Sequence, residues 1–175
     1  MLQISIPAQE YFDERTEEFI NVRAHTIQLE HSLISISKWE AKCCKPFLGK
    51  DEKTEEETLD YIRCMTITQN VDPMAYNAIP LEELERVKEY IHAPMTATWF
   101  NDRNKMPPSR RVITSELIYY WMSANSIPFE CEKWHFNRLL TLIRICGEKN
   151  QPPKKMSKQD RRNLMAQRRA RAAKR

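Results

Sequence analysis

The chain has 175 residues and a formal net charge of +4, from 28 Lys and Arg against 24 Asp and Glu. That length suits one domain with a core of its own and room for an appendage. Only two glycines occur, Gly49 and Gly147, too few for a glycine-rich phosphate cradle or a dinucleotide fold, and no run of eighteen apolar residues offers an ordinary membrane span.

The charge is unevenly placed. From Glu148 to Arg175 there are 11 Lys and Arg against 2 Asp and Glu, a net of +9, while the first 147 residues hold 17 against 22, a net of −5. The sequence therefore divides into a globular α+β body, 1–147, and a basic linker and arm, 148–175. The opening MLQISIPAQEYFDERTEEF has neither a basic n-region nor an apolar h-region, so no secretory signal is expected. Five cysteines (Cys43, Cys44, Cys64, Cys131 and Cys146) without CxxC spacing read as reduced thiols in a cytoplasmic compartment.

In chain order, Leu2, Ile4 and Ile6 alternate with Gln3 and Ser5 as in a half-buried strand. EEFINV and HTIQLEH continue as strands, with DERTE as a turn, so the first thirty residues predict a small antiparallel sheet. A helix follows from about Ser32, with Leu33, Ile36, Trp39 and Cys43 on its apolar face and Ser35, Lys38 and Lys42 opposite. Thr54 and Glu57 form a capping box for a helix whose apolar face is Leu59, Ile62, Cys64 and Met65. Asp72 and Pro73 start a short helical turn, and Pro80 opens LEELERVKEYIH, with Leu84, Val87 and Ile91 as its stripe.

The stretch 101–111, NDRNKMPPSRR, reads as a loop because its double proline cannot continue a helix. Thr114 is the expected cap of a helix with Leu117, Ile118, Trp121 and Met122 facing the core. The next helix is expected from about Glu130 to Cys146, closed by Gly147 in a left-handed conformation. Its stripe of Phe136, Leu139, Leu140, Ile143 and Cys146 is widened by Trp134, Leu142 and Ile145, which suits a central core helix or half of an interface. KNQPPKKM is a linker, and Ser157 with Asp160 caps a final basic helix. The fold class is α+β, mainly α: a small N-terminal antiparallel sheet, a bundle of about five helices and a basic C-terminal helical arm.

Chemistry is sought first at Cys131 and His135, which share a face if the segment is one continuous helix. Tetrahedral zinc takes three or four ligands, and His25, His31, His92 and the other thiols fall at no ligand spacing. A cysteine nucleophile needs an orienting third group and an oxyanion site, which no local pattern supplies. Glu55, Glu56 and Glu57 suit a helix start better than an acid–base pair. No catalytic, metal or cofactor residue is assigned, and the chain is expected not to be an enzyme. His135 beside the Cys131 thiol reads as a structural histidine.

The candidate partner-binding residues are Arg161, Arg162, Arg168, Arg169, Arg171, Lys174 and Arg175, with Trp134. The cations would neutralise a nucleic-acid backbone, although no aromatic side chain is interleaved for base stacking. They equally suit an arm that docks on an acidic protein surface. Trp39, Trp121 and Trp134 are possible interface anchors, but each lies at helical spacing in an apolar face, and core packing is the stronger reading for each.

Six segments in order, QLEHSLISISKWEAKCCKPFL, ETLDYIRCMTITQNVDP, APMTAT, VITSELIYYWM, IPFECEKWHFNRLLTLIRIC and PPKKMSKQD, cover most of the chain. Together they resemble the tail assembly chaperone family of long-tailed, siphovirus-like bacteriophages. The resemblance implies an assembly role without catalysis. A protein of this family would coat the tape measure protein, recruit tail-tube subunits around it in the host cytoplasm, and be absent from the mature virion. The family often has a longer form made by programmed frameshifting, in which the basic arm would be replaced or extended. The apolar helix would allow homo-oligomerisation, but no heptad pattern specifies it. The alternative is a nucleic-acid-binding or structural phage protein whose basic arm contacts phosphate.

Overall fold

The computed structural model describes residues 1–13, 17–100, 112–149, 162 and 165–166. Most of the expected DERTE turn, the loop 101–111, the linker from residue 150 and the Ser157–Asp160 cap lie outside the described residues. Two compact units are distinguished, Met1–Arg144 and Ile145–Arg175, and each is described by itself.

Four strands open the first unit: β1 (Leu2–Ile6), β2 (Gln9–Asp13), β3 (Glu18–Val22) and β4 (His25–Leu29). β1 pairs antiparallel with β4, and β2 with β3. One register runs through both ladders: Ile6 faces His25, and three residues on, Gln9 faces Val22, three residues back. The four strands are thus a single long hairpin interrupted at Pro7–Ala8 and Arg23–Ala24. The strand QEYFD was not anticipated, because its apolar residues are adjacent and do not alternate.

Both edges of the inner ladder are covered, which limits strand-to-strand association. On β1 the Ser5 N–H donates to Glu83 Oε1 (3.3 Å) and Arg86 Nη2 donates to the Gln3 carbonyl (3.4 Å). On β4 the Ile67 N–H donates to the Gln28 carbonyl (2.8 Å) and the Glu30 N–H to the Met65 carbonyl (2.9 Å).

Five α-helices are found among the described residues: α1 (Leu33–Cys43), α2 (Glu55–Met65), α3 (Leu81–His92), α4 (Ser115–Ala124) and α5 (Phe136–Lys149). Short 3-10 helices span Pro73–Ala78 and Phe129–Lys133. The architecture is α+β and mainly α, as the sequence predicts. Ile4, Ile6, Ile27 and Leu29 of the hairpin form the core with Leu33, Ile36 and Trp39 of α1, all at most 1 % exposed. Ile62, Met65, Ile118, Met122, Phe136 and Leu139, at most 2 % exposed, complete it. Each such side chain contributes about 1.5–3 kcal/mol on burial.

Local signals account for several helix starts. Thr54 and Glu57 form the expected capping box, and Asp72 accepts the Met74 N–H at 2.9 Å. α1 begins with a capping box that the sequence reading missed, Ser32 with Ser35. Ser35 does not face solvent as expected. It is buried because its hydroxyl accepts the Ser32 N–H (2.9 Å) and donates to the Ser32 carbonyl (2.8 Å). Thr114 occupies the cap position of α4 without a side-chain cap bond; the Ser115 N–H donates instead to Glu40 of α1.

The segment expected as one helix from Glu130 to Cys146 is two pieces. The 3-10 helix ends at Trp134, whose backbone is extended (φ −70°, ψ 161°), and α5 starts at Phe136. The cause is tertiary: His135 forms a β-bridge with Ser32, and the Phe136 N–H donates to the His31 carbonyl at 2.7 Å. Cys131 and His135 therefore do not share a helical face. α5 is also less central than its composition suggests, with only Phe136 and Leu139 buried. Gly147 lies inside α5 and no glycine has a positive φ, so the expected left-handed stop at Gly147 is absent. A left-handed cap occurs at Cys44 (φ 52°), which closes α1. In the second unit, Arg162, Met165 and Ala166 are helical and exposed.

Candidate functional site

Two depressions flank the start of α5. The larger, about 630 Å³, is walled by the segment 47–53, α2 and the end of α3, with His31 at its edge. Segment 47–53 turns tightly: a Cβ at Gly49 would sit 3.0 Å from the Pro46 carbonyl oxygen, a close contact that a larger residue would have to relieve by a small shift. The ring of Phe47 packs 4.1 Å from that of Tyr61, centroid to centroid. Lys53 Nζ sits 4.4 Å from the Phe47 centroid and donates to the Phe47 carbonyl at 2.9 Å. Such a cation over an aromatic face is favourable when partly desolvated.

His31 and Tyr61 give the cleft its polar edge. His31 Nδ1 and Tyr61 Oη are 2.6 Å apart. Burial, then the neighbouring His135 and His92, pull the His31 pKa down to about 3, so the imidazole is neutral at physiological pH. Burial likewise pushes the Tyr61 phenol far up, and it keeps its proton.

His135 packs against His31, their ring centroids 5.1 Å apart. Its Nε2–H donates to the Tyr90 carbonyl at 3.0 Å, and its Nδ1 accepts the Asn137 N–H at 3.3 Å, so the imidazole caps α5. That arrangement uses the neutral tautomer, and burial lowers the pKa accordingly. The structural reading of this histidine therefore stands, in a setting other than the continuous helix from which it was argued. Asn137 Nδ2 donates to the carbonyls of Ile91 (3.0 Å) and Ala93 (2.8 Å), tying α5 to the end of α3.

Asn137 also lines the second depression, a groove of about 300 Å³ whose walls are Pro94 to Phe100 on one side and Thr141 and Arg144 on the other. The Arg144 guanidinium lies 3.8 Å from the Phe100 ring centroid. Trp99 stands at its rim, 91 % exposed. An indole in that position loses the favourable burial that places most tryptophans inside.

Of the residues singled out from sequence, Trp134 is half-buried, with the Arg138 guanidinium 4.2 Å from its ring centroid. Trp39 is buried and Trp121 half-buried. Arg162 is exposed; Arg161, Arg168, Arg169, Arg171, Lys174 and Arg175 lie outside the described residues. The Cys131 thiol is pushed up by burial, as are those of Cys43 and Cys64. Among the described residues no three His, Cys, Asp or Glu side chains converge as metal ligands would, and no helix is long and apolar enough to cross a membrane.

Sequence reasoning missed Trp99 and the His31 cleft. His31 and His135 are 104 positions apart in sequence, and nothing local signals their meeting. Trp99 carried a signal that was readable: it belongs to no apolar period, so no core face claims it. Comparison with family models, curated proteins and solved structures finds no match in any of the three.

Proposed function

We propose that this protein is a non-enzymatic tail assembly chaperone of a long-tailed bacteriophage. It would hold the tape measure protein in the host cytoplasm, help recruit tail-tube subunits, and be absent from the mature virion. One observation carries most weight beside the sequence resemblance. Two segments on which that resemblance rests, APMTAT (93–98) and the stretch 127–146, are distant in sequence yet supply opposite walls of one groove. At its rim Trp99 exposes an indole, the side chain most enriched among residues that dominate binding energy. An apolar anchor beside a shallow groove suits reversible docking along a helix-rich client.

The test is co-expression with the tape measure protein. The reading expects the client to become soluble and to copurify with this chain; an unchanged, insoluble client without a complex contradicts it.

The net charge of +9 over residues 148–175 supports a second reading, a nucleic-acid-binding or structural phage protein that grips phosphate. That reading expects binding to DNA or RNA with a steep salt dependence that disappears on deletion of 148–175. Absence of binding at low salt eliminates it.

A further inference from the structure

The larger cleft has a charge pattern opposite to its surroundings. Residues 1–147 carry a net charge of −5, yet no carboxylate lines the cleft, whose charged or basic groups are His31, Lys53 and His92. Lys53 forms no ion pair among the described residues. Glu57 is committed elsewhere, bonded to Lys45 Nζ at 2.6 Å and to the Thr54 N–H at 3.0 Å.

The hydrogen bonding of His31 adds a second, independent feature. When Tyr61 gives its proton to His31 Nδ1, the imidazole proton stands on Nε2. Nε2 has no partner among the described residues, although His31 is only 3 % exposed, and the ring lines the cleft. An imidazole nitrogen without a partner, on a ring that lines a cleft, is open to a ligand's polar group.

We propose that this cleft binds an apolar group ending in a carboxylate. Its apolar body lies against Phe47, Phe136, Leu140 and Ile91, and its carboxylate is held between Lys53 Nζ and the His31 Nε2–H. Two sources share this chemistry: a free aryl or alkyl carboxylic acid, and the free C terminus of a protein chain ending in an apolar residue. The site is distinct from the Trp99 groove, so its failure would leave the chaperone reading standing.

The full chain is titrated with 3-phenylpropionate and with a hexapeptide ending in Leu-Phe and a free carboxylate, by calorimetry and by NMR of the His31 ring. At least one of the two saturates and shifts the His31 Nε2 signal, and the one that does identifies the source. The corresponding amide binds at least about tenfold more weakly, because it forfeits a charge-assisted bond. Lys53→Gln, with its folding checked by thermal melting, lowers affinity for the acid about tenfold and leaves the amide unchanged. The proposal is overturned if neither acid saturates, or if Lys53→Gln leaves acid binding within about twofold.

Discussion

Glu40 Oε2 accepts the backbone N–H of Ser115, 75 residues further on, at 2.7 Å, while its Oε1 accepts the Phe47 N–H, also at 2.7 Å. One carboxylate from α1, 8 % exposed, thus fixes both the loop that walls the larger cleft and the first turn of α4. Glu40→Ala strands two buried amide donors, each costing about 1–3 kcal/mol. Urea unfolding should show a loss of about 2–5 kcal/mol, and a loss below about 1 kcal/mol would mean that both amides find other partners.

His31 makes stability fall with acid. Its folded pKa is about 3 against an ordinary 6.5, so the unfolded chain binds the proton more readily. The native state keeps its full stability above pH 6.5 and loses it as the pH drops from 6.5 towards 3. The single-site loss amounts to about 2 kcal/mol at pH 5. Denaturant midpoints of the wild type and His31→Gln, compared at pH 7 and pH 5, should show a smaller acid loss in the variant. Equal losses would remove His31 as the cause.

Helix positions were largely legible in the sequence wherever a local signal acts. The Thr54–Glu57 box, the Asp72–Pro73 start and the alternation of Leu2, Ile4 and Ile6 are properties of a few adjacent residues, and each appears as read. The errors arise where distant groups decide. Trp134 and His135 have helical neighbours on both sides, yet the Ser32 bridge and the His31 carbonyl hold this point extended. Ser35 looked polar and outward, but its hydroxyl serves the start of its own helix. The candidate site was less legible than the fold. The arginines of 148–175 stand out by composition, whereas the cleft at His31 depends on side chains from five parts of the chain.

Two backbone positions allow a direct comparison. Gly147 lies within α5, and a Cβ there meets nothing within 4 Å, so Gly147→Ala should stabilise by about 0.5 kcal/mol. A left-handed glycine stop would instead make the same change destabilising. Cys44 does hold the left-handed conformation, at φ 52°, and Cys44→Gly should gain about 0.5–1 kcal/mol. Thermal melting of both variants checks the pair.

The groove reading makes Trp99 an anchor for binding with little part in folding. At 91 % exposure, its truncation to alanine should leave stability within about 0.5 kcal/mol. Loss of an aromatic anchor should cost about 2 kcal/mol of binding, more than tenfold in affinity. A melting curve matching the wild type, together with weakened partner binding, is the expected combination.

The most direct measurement is the amount of tape measure protein that copurifies with the chain in wild-type, Trp99→Ala and groove-filling Thr141→Trp forms. The account predicts a soluble complex with the wild type, and at least about a tenfold loss with either variant while the variants themselves stay folded. A wild type that retains no client, or two folded variants that retain as much as the wild type, would contradict it.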